Sequence, residues 1–360
     1  MTIKRSWTPI FIATVFLFGC AEKKEKVGLN YSTHIFYYNW YGTPVIDAEY
    51  RHWAHDVLPH WSDTSWDNME GFHGANDIGA NFYPKLGCYS CNDTATIRQH
   101  MAWIAEAGVG VITLSWWGRG SFEDKNVRLM LDEADKKDIK INFHIEPFRG
   151  RSARLTKLAI EYIDQRYGAH PAFHHMDGKG VFYIYDSYLI KSEDWMKVLP
   201  IKNVISIGLW VEESHGDSIL AAGFDGAYTY FASDGFTYGS AKENWGKMSN
   251  WAEENNKLFV PCVGPGYIDT RIRPWNDANT KPREKGAYYD AMFSAAIESK
   301  AKIIGITSFN EWHEGTQIEP SIAFQFFDYK YSDFEEEGEQ YYLSRTNYWT
   351  TRFQEKVAEH

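Results

Sequence analysis

Residues 109–147 read VGVITLSWWGRGSFEDKNVRLMLDEADKKDIKINFHIEP: a run rich in β-branched and aromatic residues, a polar stretch, and a second such run. The middle stretch carries Val127, Leu129, Leu131 and Ala134 at helix-compatible spacing. Strand, helix and strand in that order predict a parallel pair, because parallel neighbours need a long crossover. The alternation continues outward in both directions. HIFYYNW from His34 precedes it, and VFYIYDSY from Val181, VISIGLWVE from Val204, GAYTYFA from Gly226, LFVPCVGP from Leu258 and KIIGITSFNEW from Lys302 follow. Helical spacing also marks Leu155 to Tyr167, Trp245 to Glu254 and Tyr288 to Ile297. Eight runs, apolar almost throughout, predict an α/β fold of the (β/α)8 barrel type, each strand covered by helices outside and by the barrel interior within. About 250 residues suffice for such a barrel, which leaves long loops, chiefly at 43–97 and 265–283.

Across the whole chain of 360 residues, 37 Lys and Arg stand against 48 Asp and Glu, a net charge of −11. No basic excess exists to neutralise a phosphate backbone, so nucleic acid is not an expected partner. Hydrophobic residues at 44% and charged residues at 24% describe a folding chain rather than a disordered one. The rings are unusual: 15 Trp, 23 Tyr and 22 Phe are more than one core uses, so some are expected to face a ligand.

The N-terminal MTIKRSWTPIFIATVFLFGC has Lys4 and Arg5 followed by an apolar stretch from Pro9 to Phe18. That pattern predicts a secretory signal, and the stretch is too short to span a membrane. Leu17 to Cys20 resembles the bacterial lipoprotein cleavage box, with Cys20 as the lipidated residue; a secreted protein cut nearby is the alternative. The expected organisation is a signal peptide over 1–19, a tether over 20–30, and one catalytic barrel over 31–360. The expected location is the bacterial cell envelope, held by the lipid alone, with the chain acting as a monomer. Cys88 and Cys91 form a CxxC without a second pair, which favours a local disulfide or two free thiols over a metal site. Cys262 reads as a buried small hydrophobe.

Catalytic groups in such barrels sit at the C-terminal strand ends. Those ends hold Tyr37, Tyr38, Asn39, Trp40 and Tyr41; Trp116 and Trp117; His144 and Glu146; Asp186 and Tyr188; Glu212 and Glu213; Tyr228 and Tyr230; Tyr267 and Asp269; and Asn310 to Glu314. Carboxylates among aromatic faces suit carbohydrate, whose C–H faces stack on rings while its hydroxyls seek acceptors. Glycoside cleavage needs one acid for the leaving oxygen and one carboxylate for the anomeric side. Glu311 and Glu314, three residues apart in a turn leaving the last strand, meet that need. The chain has no GxSxG, HExxH, GxxxxGK[ST] or GxGxxG. No metal or organic cofactor is expected. His52, His55, Asp56 and His60 crowd one loop and offer metal binding as one reading, with loop-organising or sugar contacts as the favoured one.

HIFYYNWYG, DIGANFYPKLG, FHIEPF, GFDGAYTYFASDGFTYGS, VGPGYIDTRIRPWN and SFNEWHEGTQIE together resemble the endo-α-1,2-mannosidases of glycoside hydrolase family 99, from about His34 to Glu319. The resemblance implies a (β/α)8 barrel and a retaining endo-α-mannosidase acting on α-mannan or mannose-rich oligosaccharides. It further implies that Glu314 is the acid/base. The resemblance implies too that Glu311 acts on the anomeric side, as a base that lets the 2-hydroxyl attack C1 and form a 1,2-anhydro sugar; the sequence alone leaves direct attack by Glu311 as the alternative. Glu146, Tyr230, Asn310 and one or both of Tyr37 and Tyr38 are expected to contact the sugar beside the cleaved bond, with Trp40 among the rings there. Arg273 and Trp275 are expected to cover outer sugars. Trp117 stands where the animal relatives tend to have Tyr, and is expected to favour mannose over glucose as the outer sugar. The competing readings are a glycan-capture lipoprotein without activity and an endomannosidase preferring glucosylated mannose.

Overall fold

The structure is a computed structural model that describes residues 28–60, 62–66 and 69–358. The signal segment, Cys20 and the tether as far as Val27 lie outside the described residues. All eight runs are strands of one parallel ring: β1 (Asn30–Tyr37), β2 (Val109–Trp116), β3 (Lys140–Ile145), β4 (Lys179–Ile184), β5 (Val204–Leu209), β6 (Gly226–Tyr228), β7 (Leu258–Val260 and Cys262–Val263) and β8 (Ile304–Ile306). Each strand pairs with the next, and β8 pairs with β1. In β7 the first half pairs with β6 and the second with β8. Pro261 divides them, since it has no N–H to give a ladder. The ring is completed there by Cys262 N–H donating to Thr229 Oγ1 at 2.9 Å and Gly305 N–H donating to the Pro261 carbonyl at 3.0 Å. β1 begins at Asn30, ahead of the apolar run, where Asn30 pairs with Val109 and its side-chain amide donates to the Thr350 carbonyl of the C-terminal helix.

Outside the ring lie α1 (Thr94–Glu106), α2 (Phe122–Asp135), α3 (Ala153–Tyr167), α4 (His215–Ala222), α5 (Trp245–Glu254), α6 (Ala287–Glu298) and α7 (Tyr341–Ala358). Between β4 and β5 only the 3-10 turn Ser187–Leu189 and the short helix Ser192–Trp195 intervene. Asp93, Ser121 and Ser152 cap α1, α2 and α3 by accepting from otherwise unpaired first-turn N–H groups. None of the described helices is long and apolar enough to cross a membrane.

The two faces of the strands differ in chemistry, which the near-continuous apolar reading of the runs did not anticipate. Ile35, Leu114, Ile141, Phe143 and Ile184 are fully buried apolar residues of the strands, with Phe143 stacked on Tyr167 of α3. The interior instead gathers His34, Phe36, His144, Tyr183 and Tyr228, whose rings meet across the ring of strands. Burial of both faces hides the alternation from hydropathy, because Tyr and Phe read as apolar on either side. Over the mouth, Arg271 ties the loop after β1 to the segment after β7. Its guanidinium donates to Asp77 Oδ1 at 2.9 Å and to the Ile78 carbonyl, and lies over the Tyr329 ring.

Candidate active site

The chain leaving β8 folds back on itself. Ser308 N–H donates to the Thr316 carbonyl and Ile318 N–H to the Ser308 carbonyl, so residues 308–318 form a closed loop. Inside it, Glu311 N–H donates to Ser308 Oγ at 2.8 Å and Gly315 N–H to the Trp312 carbonyl. Gly315 has φ 59, and a Cβ there would stand 2.6 Å from Ile268 Cγ2, so only glycine closes this turn. The turn presents Glu311 and Glu314 at the barrel mouth. Glu311 is 4% exposed and accepts from His313 N–H at 3.2 Å. Glu314 is a quarter exposed, with Arg273 Nη1 at 3.6 Å.

Burial is the main cause that pushes both carboxyls up, each toward about 8. The Glu311 charge raises Glu314 further, while the hydrogen bond from His313 N–H pulls Glu311 back. The two carboxyls share one site and titrate as a pair. A cavity of about 370 Å³ opens at Glu314, walled by Tyr185, Phe231, Phe236, Tyr267 and Trp275.

Tyr38, Trp40, Trp117, Glu146 and Tyr230 converge on the same mouth. Tyr38 and Tyr230 share a hydrogen bond through their hydroxyls, and the Glu146 and Glu311 charges both act on the Tyr38 phenol, which burial already holds neutral. Tyr230 holds φ 55, in the left-handed region, and its carbonyl accepts from Thr307 Oγ1. Glu146 Oε1 is held by Ser115 Oγ at 2.9 Å and His144 Nδ1 at 2.8 Å, and His144 Nε2 meets Tyr228 OH at 2.7 Å. Trp117 joins this chain by donating Nε1–H to Ser115 Oγ at 3.0 Å. Trp40 packs on Tyr38 and Trp117 and lies flat on His52, centroids 4.3 Å apart.

Several expectations change on contact with the geometry. Tyr37 faces outward: its hydroxyl meets His100 Nδ1 of α1 at 2.7 Å and its ring stacks on Phe309, so of the two tyrosines only Tyr38 reaches the mouth. Asn310 commits its amide to the backbone of Tyr38. Its Oδ1 accepts from Tyr38 N–H and its Nδ2 donates to the Tyr38 carbonyl, both at 2.8 Å, with no exposed surface, so it clamps β1 to the β8 turn. Arg273 sits against Glu314 and Asp269 rather than farther out, while Trp275 donates to the Leu58 carbonyl and pins one long loop to the other. Glu212 and Glu213 are exposed. Cys88 and Cys91 are free thiols, and Cys262 is fully buried.

The histidine cluster is also rearranged. His52 and His55 meet His313 from the β8 turn, whereas His60 packs edge-on against Trp275. Burial lowers the proton affinity of His55 and His313 to about 4 and that of His52 well below its usual value. Sequence reading missed Ser115, His144 and Tyr228 as the support of Glu146, and His100 with Glu319 behind the turn. Their polar character within strand and helix patterns was visible, but not their mutual contact.

Comparison with known proteins agrees with this geometry. Residues 28–355 match the family model described as glycosyl hydrolase family 99. The chain is 43% identical over 353 residues to a rat glycoprotein endo-alpha-1,2-mannosidase, covering 92% of this chain and 76% of the rat protein. A Xenopus laevis protein of the same name is 44% identical over 354 residues, covering 92% of this chain and 79% of its own. The solved structure of a GH99 endo-alpha-mannosidase from Bacteroides thetaiotaomicron superposes with a TM-score of 0.88 at 47% identity, covering 91% of this chain and 99% of that one. With a family match over nearly all the described chain and two carboxylates at the mouth of its barrel, this protein belongs to glycosyl hydrolase family 99 and is a glycoside hydrolase.

Proposed function

We propose that this protein is a retaining, endo-acting α-mannosidase that cleaves α-1,2-mannosidic linkages in mannan or high-mannose glycans. The observation that carries the reading is the single buried turn from which Glu311 and Glu314 reach one mouth, Glu314 beside the cavity and Glu311 beside the Tyr38 and Glu146 wall. Glu311 takes the proton of the sugar's 2-hydroxyl as O2 attacks C1, and Glu314 gives its proton to the departing glycosidic oxygen as the C1–O bond breaks. Water then attacks C1, losing its proton to Glu314, while O2 leaves C1 and recovers its proton from Glu311. Two inversions at C1 retain the configuration. The axial 2-hydroxyl of mannose lies trans to an α-leaving group, the arrangement this attack requires.

Incubation with yeast-type mannan oligosaccharides, following product size and anomeric configuration by NMR, tests the reading. Internal cleavage with an α-product first is expected; no cleavage, or a β-product first, overturns it. We further infer from Lys4, Arg5 and the Leu17–Cys20 box that a lipid on Cys20 anchors the enzyme in a bacterial envelope. Cys20→Ala is expected to yield active enzyme outside the membrane fraction, and a fully membrane-bound variant would refute the anchor.

A further inference from the structure

Beside Glu311, one ring nitrogen from each of His52, His55 and His313 lies within 4.8 Å of the other two. His313 Nε2 is 2.8 Å from the His52 carbonyl, and His55 Nδ1 is 2.7 Å from the Asp56 carbonyl. A carbonyl oxygen only accepts, so those two nitrogens carry the hydrogens, and in each neutral ring the other nitrogen presents a bare lone pair. Backbone carbonyls orient metal-binding imidazoles in this way. Stacking on Trp40 fixes the plane of the third ring, His52.

A second contact points to a cation independently. His313 Nδ1 lies 3.4 Å from Glu311 Oε1. With the hydrogen on Nε2, Nδ1 turns a bare lone pair toward Glu311, and once that carboxyl is ionised the contact sets two acceptors against each other. Two ligands each about 2.0–2.2 Å from a tetrahedral ion of zinc's kind stand roughly 3.3–3.5 Å apart, so the gap is the size such an ion spans. His52 and His55 are half-buried on the loop after β1, and their rings turn toward Glu311 to complete the set.

We propose that His52, His55 and His313 bind a divalent transition-metal ion of zinc's class, with Glu311 as the fourth ligand, and that the ion inhibits the enzyme reversibly by occupying that carboxylate. Imidazole with one carboxylate suits zinc, cobalt and nickel better than magnesium or calcium, which prefer all-oxygen sites. The binding itself does not depend on the proposed activity. Only the inhibition rests on Glu311 acting in catalysis, and separate measurements address the two.

Chelator-treated full-length enzyme is titrated with cobalt(II) without substrate, reading the visible d–d bands of tetrahedral coordination, and zinc is then added to displace it. Saturation at one ion per chain is expected, with affinity weakened at least about tenfold in His55→Gln, in His52→Gln and in Glu311→Gln. Circular dichroism identifies any variant that fails to fold, and the remaining ones decide. Absence of saturable bands in the wild type, or affinity unchanged in the folded variants, overturns the site. Zinc is also expected to inhibit glycan cleavage competitively, with recovery on adding chelator. Cobalt binding without zinc inhibition of an active enzyme overturns the role of Glu311 as ligand, and an enzyme inactive on every glycan leaves the cobalt result standing on its own.

Discussion

Arg273 shows how one side chain sets the chemistry of the pair. Its charge lowers the proton affinity of Glu314, against burial and the neighbouring Glu311. If Glu314 protonates the leaving oxygen, Glu314→Gln lowers kcat/KM on natural glycans by roughly a hundred- to ten-thousandfold, and by much less on aryl glycosides whose leaving groups need no proton. Glu311→Gln damages both substrates alike. The wild-type profile falls on the alkaline side as Glu314 ionises near pH 8, and that limb moves higher in Arg273→Met, because the charge favouring ionisation is gone. An unmoved limb would separate Arg273 from the acid. Trp117 carries a second prediction. Its only N–H is spent on Ser115, so the indole offers carbon alone to an outer sugar. If Trp117 meets the outer sugar, it tolerates the axial 2-hydroxyl of mannose but leaves the equatorial one of glucose unpaired, at a cost of about 1–3 kcal/mol. Comparative kcat/KM is expected to favour release of Man-α-1,3-Man over Glc-α-1,3-Man, and Trp117→Tyr to narrow the gap; an unchanged ratio would remove Trp117 from sugar recognition.

The β8 turn works as an element because a buried brace stands behind it. Glu319 accepts from Trp312 Nε1 at 3.0 Å and from Tyr89 OH at 2.8 Å, and its other oxygen lies 3.2 Å from His100 Nε2 of α1, with both side chains fully buried. Tyr37 closes the chain on the far side of His100. Leaving a buried donor without its acceptor costs about 1–3 kcal/mol. Glu319→Gln is expected to lose stability of that order in urea unfolding. Because the brace holds the turn rather than the sugar, kcat should fall more than KM rises. A rise in KM alone would place Glu319 in substrate binding instead.

For the molecule as a whole, two buried carboxyls are a standing liability. Below about pH 4.5 they are protonated in both folded and unfolded chains and cost nothing. Between there and about 8 the unfolded chain releases protons that the folded site still holds, so folding stability declines as pH rises. The Glu311→Gln/Glu314→Gln double variant escapes this. It is expected to be more stable than wild type by about 1–3 kcal/mol at neutral pH, with the advantage vanishing toward pH 4.5, as melting curves across that range would read. A constant advantage at all pH values would assign the effect to packing.

The order of strands and helices was legible in the chain because burial by helices leaves near-continuous apolar runs, and local spacing alone then implies parallel pairing. Trp245–Glu254 is a helix with the limits its periodicity predicts. The EWHE turn was legible too, since both carboxylates belong to one short segment and Gly315 marks its close. What only the tertiary structure decided is which neighbour each polar group meets. Tyr37 and Tyr38 are adjacent in sequence, yet strand pleating sends one to His100 and the other to Tyr230. His313 joins His52 and His55, and Glu146 meets Ser115, across long separations in sequence. Those pairings depend on ring closure and loop path, and a contact between distant residues leaves no period in either segment from which it can be read.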